Sequence, residues 1–160
     1  MTDRKPVLVL GIGNSLLTDD GAGQHVLAAL AAGGLPEGMV LVDGGTIGLA
    51  LLTEIEKAGA LVAVDACQMG LPVGAVRVFE GTGMDATLGG TKRSAHEVAL
   101  ADLMDAARLS GSLPERRALV GIQPGSTGWG LEPGPEVARA IPEAVAAVLR
   151  LAESWSLTDA

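Results

Sequence analysis

Val7–Ile12 is a run of six consecutive apolar residues with no polar side chain to face water on either side. Such a run reads as a strand buried on both faces, which a parallel sheet covered by helices provides. Val40–Val42, Ala60–Val64 and Ala118–Ile122 have the same character. Ala75–Phe79 is shorter and carries Arg77 mid-run, as an edge strand does.

Between these runs the apolar spacing turns helical. Val26, Leu27 and Leu30 form one stripe after Asp20. Leu100, Leu103, Met104 and Ala107 form a second, and Val137, Ile141, Val145, Val148 and Ala152 a third. Pro142 interrupts the last stripe and is expected to kink that helix or start a second segment. Thr46–Lys57 reads as a further helix. Glycines at 33–34, 81–83 and 89–90 mark loops, and the stretch from Glu80 to Lys92 is expected to be mobile. Alternating strands and helices predict an α/β chain with three α/β/α layers around a twisted, mostly parallel sheet. The length of 160 residues fits one domain, 1–160.

Charge and composition exclude several partners. A net charge of −8 disfavours nucleic acid and anionic membranes. Phe79, Trp129 and Trp155 are the only aromatics, too few for a base-stacking platform. The apolar run near the N-terminus is too short for a signal-peptide core or a membrane span. The single cysteine, Cys67, permits a reducing compartment. A cytoplasmic monomer is expected.

The first strand leads into Gly11-Ile12-Gly13-Asn14-Ser15-Leu16-Leu17-Thr18-Asp19-Asp20-Gly21. A dinucleotide-binding turn would need glycine where Leu16 stands, and two carboxylates sit where pyrophosphate would lie. One of the two aspartates suffices to cap a following helix, which leaves the other to point into a crevice. Asp43 follows the second run and Asp65 the third, at the carboxyl end of the sheet with Asp20, where open parallel sheets hold ligands. Carboxylates converging there repel one another unless a cation or protons intervene.

His96 lies in Ser94-Ala95-His96-Glu97, a capping-box pattern, so its ring falls in a first helical turn. The helix dipole there is expected to keep the imidazole neutral and ready to ligate. His25, the other histidine, lies about 140° around the helix from Asp20 and is assigned no role. Cys67 is expected to be a core thiol. No His-Glu-x-x-His, Cys-x-x-Cys, Gly-x-Ser-x-Gly or Gly-Lys-Ser pattern is present. The remaining carboxylates and imidazole suit a borderline divalent metal.

The ordered blocks Gly11-Ile12-Gly13-Asn14, Asp19-Asp20-Gly21, Asp43-Gly44-Gly45-Thr46, Val64-Asp65-Ala66, His96 with Leu100, Ala101 and Asp102, Val120-Gly121-Ile122-Gln123-Pro124 and Leu131-Glu132-Pro133 resemble the hydrogenase maturation proteases. The resemblance implies a sheet of about five strands. It also implies cleavage of the C-terminal extension from a nickel-loaded [NiFe]-hydrogenase large-subunit precursor. Metal contact would come from Asp20, Asp65 and His96, with Asp43 at a further acidic position. The nickel would be borne by the precursor, and Asp43 or Asp65 would act as base. Gly125–Gly130 fits no pattern, and substrate choice is expected there. A nickel metallochaperone and a flavodoxin-like nucleotide-binding domain are the alternatives to be distinguished.

Overall fold

All seven residues of the central strand, Ala60–Ala66, are buried, so both faces of the sheet are dry at its middle. A computed structural model describes residues 4–45, 48–90 and 95–158. Its sheet has five strands: β1 (Val7–Ile12), β2 (Met39–Gly45), β3 (Ala60–Ala66), β4 (Val76–Glu80) and β5 (Arg116–Ile122). They lie in the order β2-β1-β3-β5-β4. All neighbours are parallel except β4, which runs antiparallel on the edge beside β5. β4 is half-exposed, as the charge at Arg77 requires.

The strand period of two sorts the side chains into two cores. Val62, Val64 and Ala66 face α1 (Ala22–Ala32) and α5 (Pro135–Thr158). Leu61 and Ala63 face α2 (Leu52–Glu56), α3 (Thr82–Leu88) and α4 (Ala95–Ser110). Leu8, Leu10, Ile12, Leu61 and Leu100 are almost wholly out of water. Each such side chain contributes roughly 2 kcal/mol by leaving it. The α/β/α reading of the sequence therefore holds. No helix among the described residues is long and apolar enough to cross a membrane.

Three expectations need correction. Within the stretch expected to be a mobile loop, Thr82–Leu88 is helix α3. Gly83 inside it and the glycines at both caps, Gly81 and Gly89, hide it from a propensity argument, but Met84 and Leu88, one turn apart, are buried beneath it. Asp85 on this helix takes Arg117 through two hydrogen bonds, Nε to Oδ1 at 3.0 Å and Nη2 to Oδ2 at 2.6 Å. Secondly, of the two outcomes expected at Pro142, a second segment does not form: α5 runs as one helix through it. Pro142 and Ala138, whose carbonyl loses its donor, are both exposed, so water can satisfy that carbonyl. The helix expected over Thr46–Lys57 is a short 3-10 turn, Leu49–Leu51, followed by α2; Thr46 and Ile47 lie outside the described residues.

The order places β2 and β3 on opposite sides of β1. The chain leaves β1 toward one side and β3 returns on the other, which opens a crevice at their carboxyl ends. Asp20 follows β1, and Asp65 is the penultimate residue of β3.

Candidate active site

Asp65 shares its strand parity with Leu61 and Ala63, so its carboxylate faces the layer that contains α4. His96 is the second residue of α4. Its Nδ1 stands 3.1 Å from Asp65 Oδ2, and its Nε2 stands 2.8 Å from Asp20 Oδ1. One imidazole thus lies between two carboxylates from different strand ends. Asp65 is fully buried, while His96 and Asp20 keep 11% and 14% of their side-chain surface, so the cluster is reached from the Asp20 side.

The loop after β1 is built to hold Asp20 in place. Gly13 has φ 125°, and a Cβ there would meet the Asp20 carbonyl oxygen at 2.0 Å. Only glycine permits that approach. The Asn14 amide donates to Asp20 Oδ2 at 2.9 Å. In a phosphate-binding turn such an amide would point at the ligand; here the chain's own carboxylate has taken it.

The charges of the cluster depend on one another. Burial opposes the imidazolium, but hydrogen bonds and charge from Asp20 and Asp65 together push the His96 pKa up to about 10. The neutral ring expected from the helix dipole is therefore corrected: two carboxylates outweigh a partial charge. Burial raises Asp65 to about 7, against the pull of His96. Burial also opposes ionisation of Asp20, yet His96 and the Asn14 amide hold its pKa below the usual carboxylate range. The cation that converging carboxylates require is, in this state, the protonated ring of His96. Asp65 Oδ1 is buried and has no hydrogen-bond partner among the described residues.

Among the described residues, Asp43 makes no hydrogen bond to the cluster. It is exposed, and its Oδ1 accepts from the Gly45 amide at 2.8 Å and from Gln24 Nε2 at 3.2 Å. Gln24 Nε2 also donates to the Gly13 carbonyl at 2.7 Å, so Asp43 braces the loop that carries Asp20. Cys67 is buried as expected, and burial pushes its thiol pKa well up. Asp65, Cys67 and Glu97, all buried, present ligand-type atoms within 4.8 Å of one another. Ser94 of the expected capping box lies outside the described residues.

Asp19 does not cap the following helix; α1 begins at Ala22, with Gly21 at its N-cap and no side-chain cap. The carboxylate of Asp19 is 2% exposed and accepts three backbone amides: Gly125 at 2.8 Å, Ser126 at 3.0 Å and Gly134 at 2.7 Å. No spacing in the sequence signals a bond across more than 100 residues. Gln123 does similar work at the end of β5, where its Oε1 accepts the Met69 amide at 2.7 Å. A separate cavity of about 910 Å³ lies at the opposite, amino-terminal edge of the sheet, lined by Val7, Met39, Ala60 and Arg116 among others.

A family model described as hydrogenase maturation protease matches residues 24–151. The chain belongs to the hydrogenase maturation protease family. The protease is 37% identical over 153 residues to the hydrogenase expression/formation protein HupD of Rhodobacter capsulatus, covering 94% of this chain and 73% of that one. It is 36% identical over 123 residues to the hydrogenase 2 maturation protease of Escherichia coli K12, covering 75% and 74%. Among solved structures, the hydrogenase maturating endopeptidase HybD of E. coli superposes with a TM-score of 0.86 at 31% identity, over 93% of each chain. Membership fixes the class of chemistry as peptide-bond hydrolysis and disfavours the metallochaperone and flavodoxin-like alternatives.

Proposed function

We propose that this protease cleaves the C-terminal extension from the nickel-loaded large-subunit precursor of a [NiFe]-hydrogenase, and that the precursor's nickel is what it recognises. The observation that carries this reading is the imidazole of His96 held between the carboxylates of Asp20 and Asp65. These three residues are proposed to grip the substrate-borne ion. The 2.8 Å between Asp20 Oδ1 and His96 Nε2 is close to the spacing of two adjacent ligand atoms around one ion. With bonds of about 2.1 Å at right angles, that spacing is about 3.0 Å.

Asp65 stands on the far ring nitrogen, so in the resting protein it orients the ring, as carboxylates orient ligating histidines. Its Oδ1, without a hydrogen-bond partner among the described residues, is proposed to take the ion when the ring turns and loses its proton. Nickel on the precursor supplies a positive charge that positions and polarises the scissile carbonyl. The attacking group is proposed to be water. Asp65, in contact with His96 inside the cluster, is the better candidate for general base than Asp43, whose hydrogen bonds go to Gly45 and Gln24. Asp43, engaged with Gly45 and Gln24, is proposed as a loop brace instead. Water adds across the peptide bond: hydroxyl to the carbonyl carbon and the proton, by way of the base, to the leaving amine.

The test is incubation of the purified protein with candidate precursors, with and without nickel inserted, followed by sequencing of the released peptide. A single C-terminal fragment released only from nickel-loaded precursor is the expected result. Equal cleavage of the nickel-free precursor would remove nickel as the recognition element. Tight nickel binding with unchanged precursor length would favour a metallochaperone.

A further inference from the structure

The loop that Asp19 holds carries an apolar edge with no internal purpose. Gly130 and Leu17 form a parallel bridge: the Gly130 amide donates to the Leu16 carbonyl, and the Thr18 amide to the Gly130 carbonyl, both at 2.8 Å. Gly130 packs so closely that a Cβ there would meet Thr18 Cγ2 at 2.6 Å. Leu16, Trp129 and Leu131 surround this bridge and are exposed by 50%, 83% and 66%. The other tryptophan, Trp155, is 9% exposed and belongs to the core. A glycine-rich loop tied down by a buried carboxylate, a bridge and the Thr18 hydroxyl is rigid at a cost that exposed apolar groups do not repay within the chain.

We infer that Leu16, Trp129 and Leu131 form a docking surface for an apolar stretch of the polypeptide substrate beside its cleavage site. Asp19 is the positioning residue that fixes this surface next to the cluster. The inference rests on the proposed function. Its occupant follows from continuity: Asp19 grips the loop, and the next residue, Asp20, is 2.8 Å from His96. A substrate chain that brings its scissile bond to Asp20 and His96 spans about 3.3 Å per extended residue, so residues a few positions away reach this edge. Exposed tryptophan in a preorganised setting is typical of the anchors that dominate interfaces. Ordering the loop beforehand removes that cost from binding.

The experiment compares wild type, the double variant Trp129→Ser/Leu131→Ser and Asp19→Asn on nickel-loaded precursor, by initial rates over a range of precursor concentrations. Sedimentation and circular dichroism accompany the rates. The double variant changes exposed positions and is expected to keep the wild-type spectrum. Its KM is expected to rise about tenfold, the loss of one anchor, with kcat within about twofold. Asp19→Asn turns one acceptor into a donor facing an amide and is expected to raise KM likewise. Combined with the double variant it should add less than its separate effect, because both act through one loop. An unchanged KM in the double variant overturns the inference while leaving the proposed function intact. Self-association of the wild type that the double variant loses, with KM unchanged, also overturns it and assigns the surface to a second copy of the chain. No processing by the wild type sinks the proposed function, and this inference with it.

Discussion

Asp20 Oδ1 and His96 Nε2 stand 2.8 Å apart although 76 residues separate them in the chain. That contact joins the loop after β1 to the first turn of α4, across the crevice between β1 and β3. With Asp65 on the other ring nitrogen, it makes the protonation of His96 the controlling variable of the site.

The first consequence is for stability. Folded His96 holds its proton up to about pH 10, against 6.5 for the free ring. Between those values the folded state binds more protons than the unfolded one, so stability falls as pH rises. Asp65, raised from 3.8 to about 7, adds a fall of the same sign between those values. Asp20 is lowered, so its contribution is present above 3.8 and lost only as pH falls through its lower folded value. Thermal melts at fixed ionic strength should show Tm declining from pH 7 to pH 10 in wild type and less steeply in His96→Gln. Equal slopes would contradict the assignment.

Metal binding should release protons. An ion that takes the place of the ring proton competes with it, so affinity for added nickel should rise about tenfold per pH unit below the His96 pKa for each proton displaced. Calorimetry in two buffers of different ionisation enthalpy counts the protons. Binding without proton release would show that the ion sits elsewhere.

Asp43 and Asp65 are expected to part company. Asp43→Asn can still hold the loop through its side-chain oxygen and should lower processing by less than about tenfold. Asp65→Asn removes the proposed base and orienting group and should leave less than about 1% of wild-type rate. Matching losses in the two variants would return Asp43 to the catalytic set.

Gly13→Ala should destabilise the protein on the order of 3 kcal/mol. The added methyl meets a backbone oxygen that cannot swing aside, at a φ that alanine resists. Urea denaturation measures the change. A loss under about 0.5 kcal/mol would mean that the loop relaxes, and with it the hold on Asp20.

Much of this was legible in the sequence, for physical reasons. Val7–Ile12 and Ala60–Val64 announce buried strands because nothing polar interrupts them, and Asp65 stands out as the charge just beyond one. Arg77 marks β4 as an edge. What stayed hidden depends on partners far away in the chain. Helix α3 is held by Arg117 and its buried Met84 and Leu88, not by propensity. The order of the segment Gly125–Gly134 comes from Asp19, which local reasoning treats as a helix cap. The charge of His96 is set by two carboxylates that the fold alone brings to it.

The most direct measurement is cleavage of a nickel-loaded precursor by wild type, Asp20→Asn and His96→Gln at equal concentrations, read by the mass of the released peptide. Wild type should release one C-terminal fragment, and both variants, folded by circular dichroism, should release none. Full processing by either variant would mean that the pairing of Asp20 with His96 is not the working part of this site.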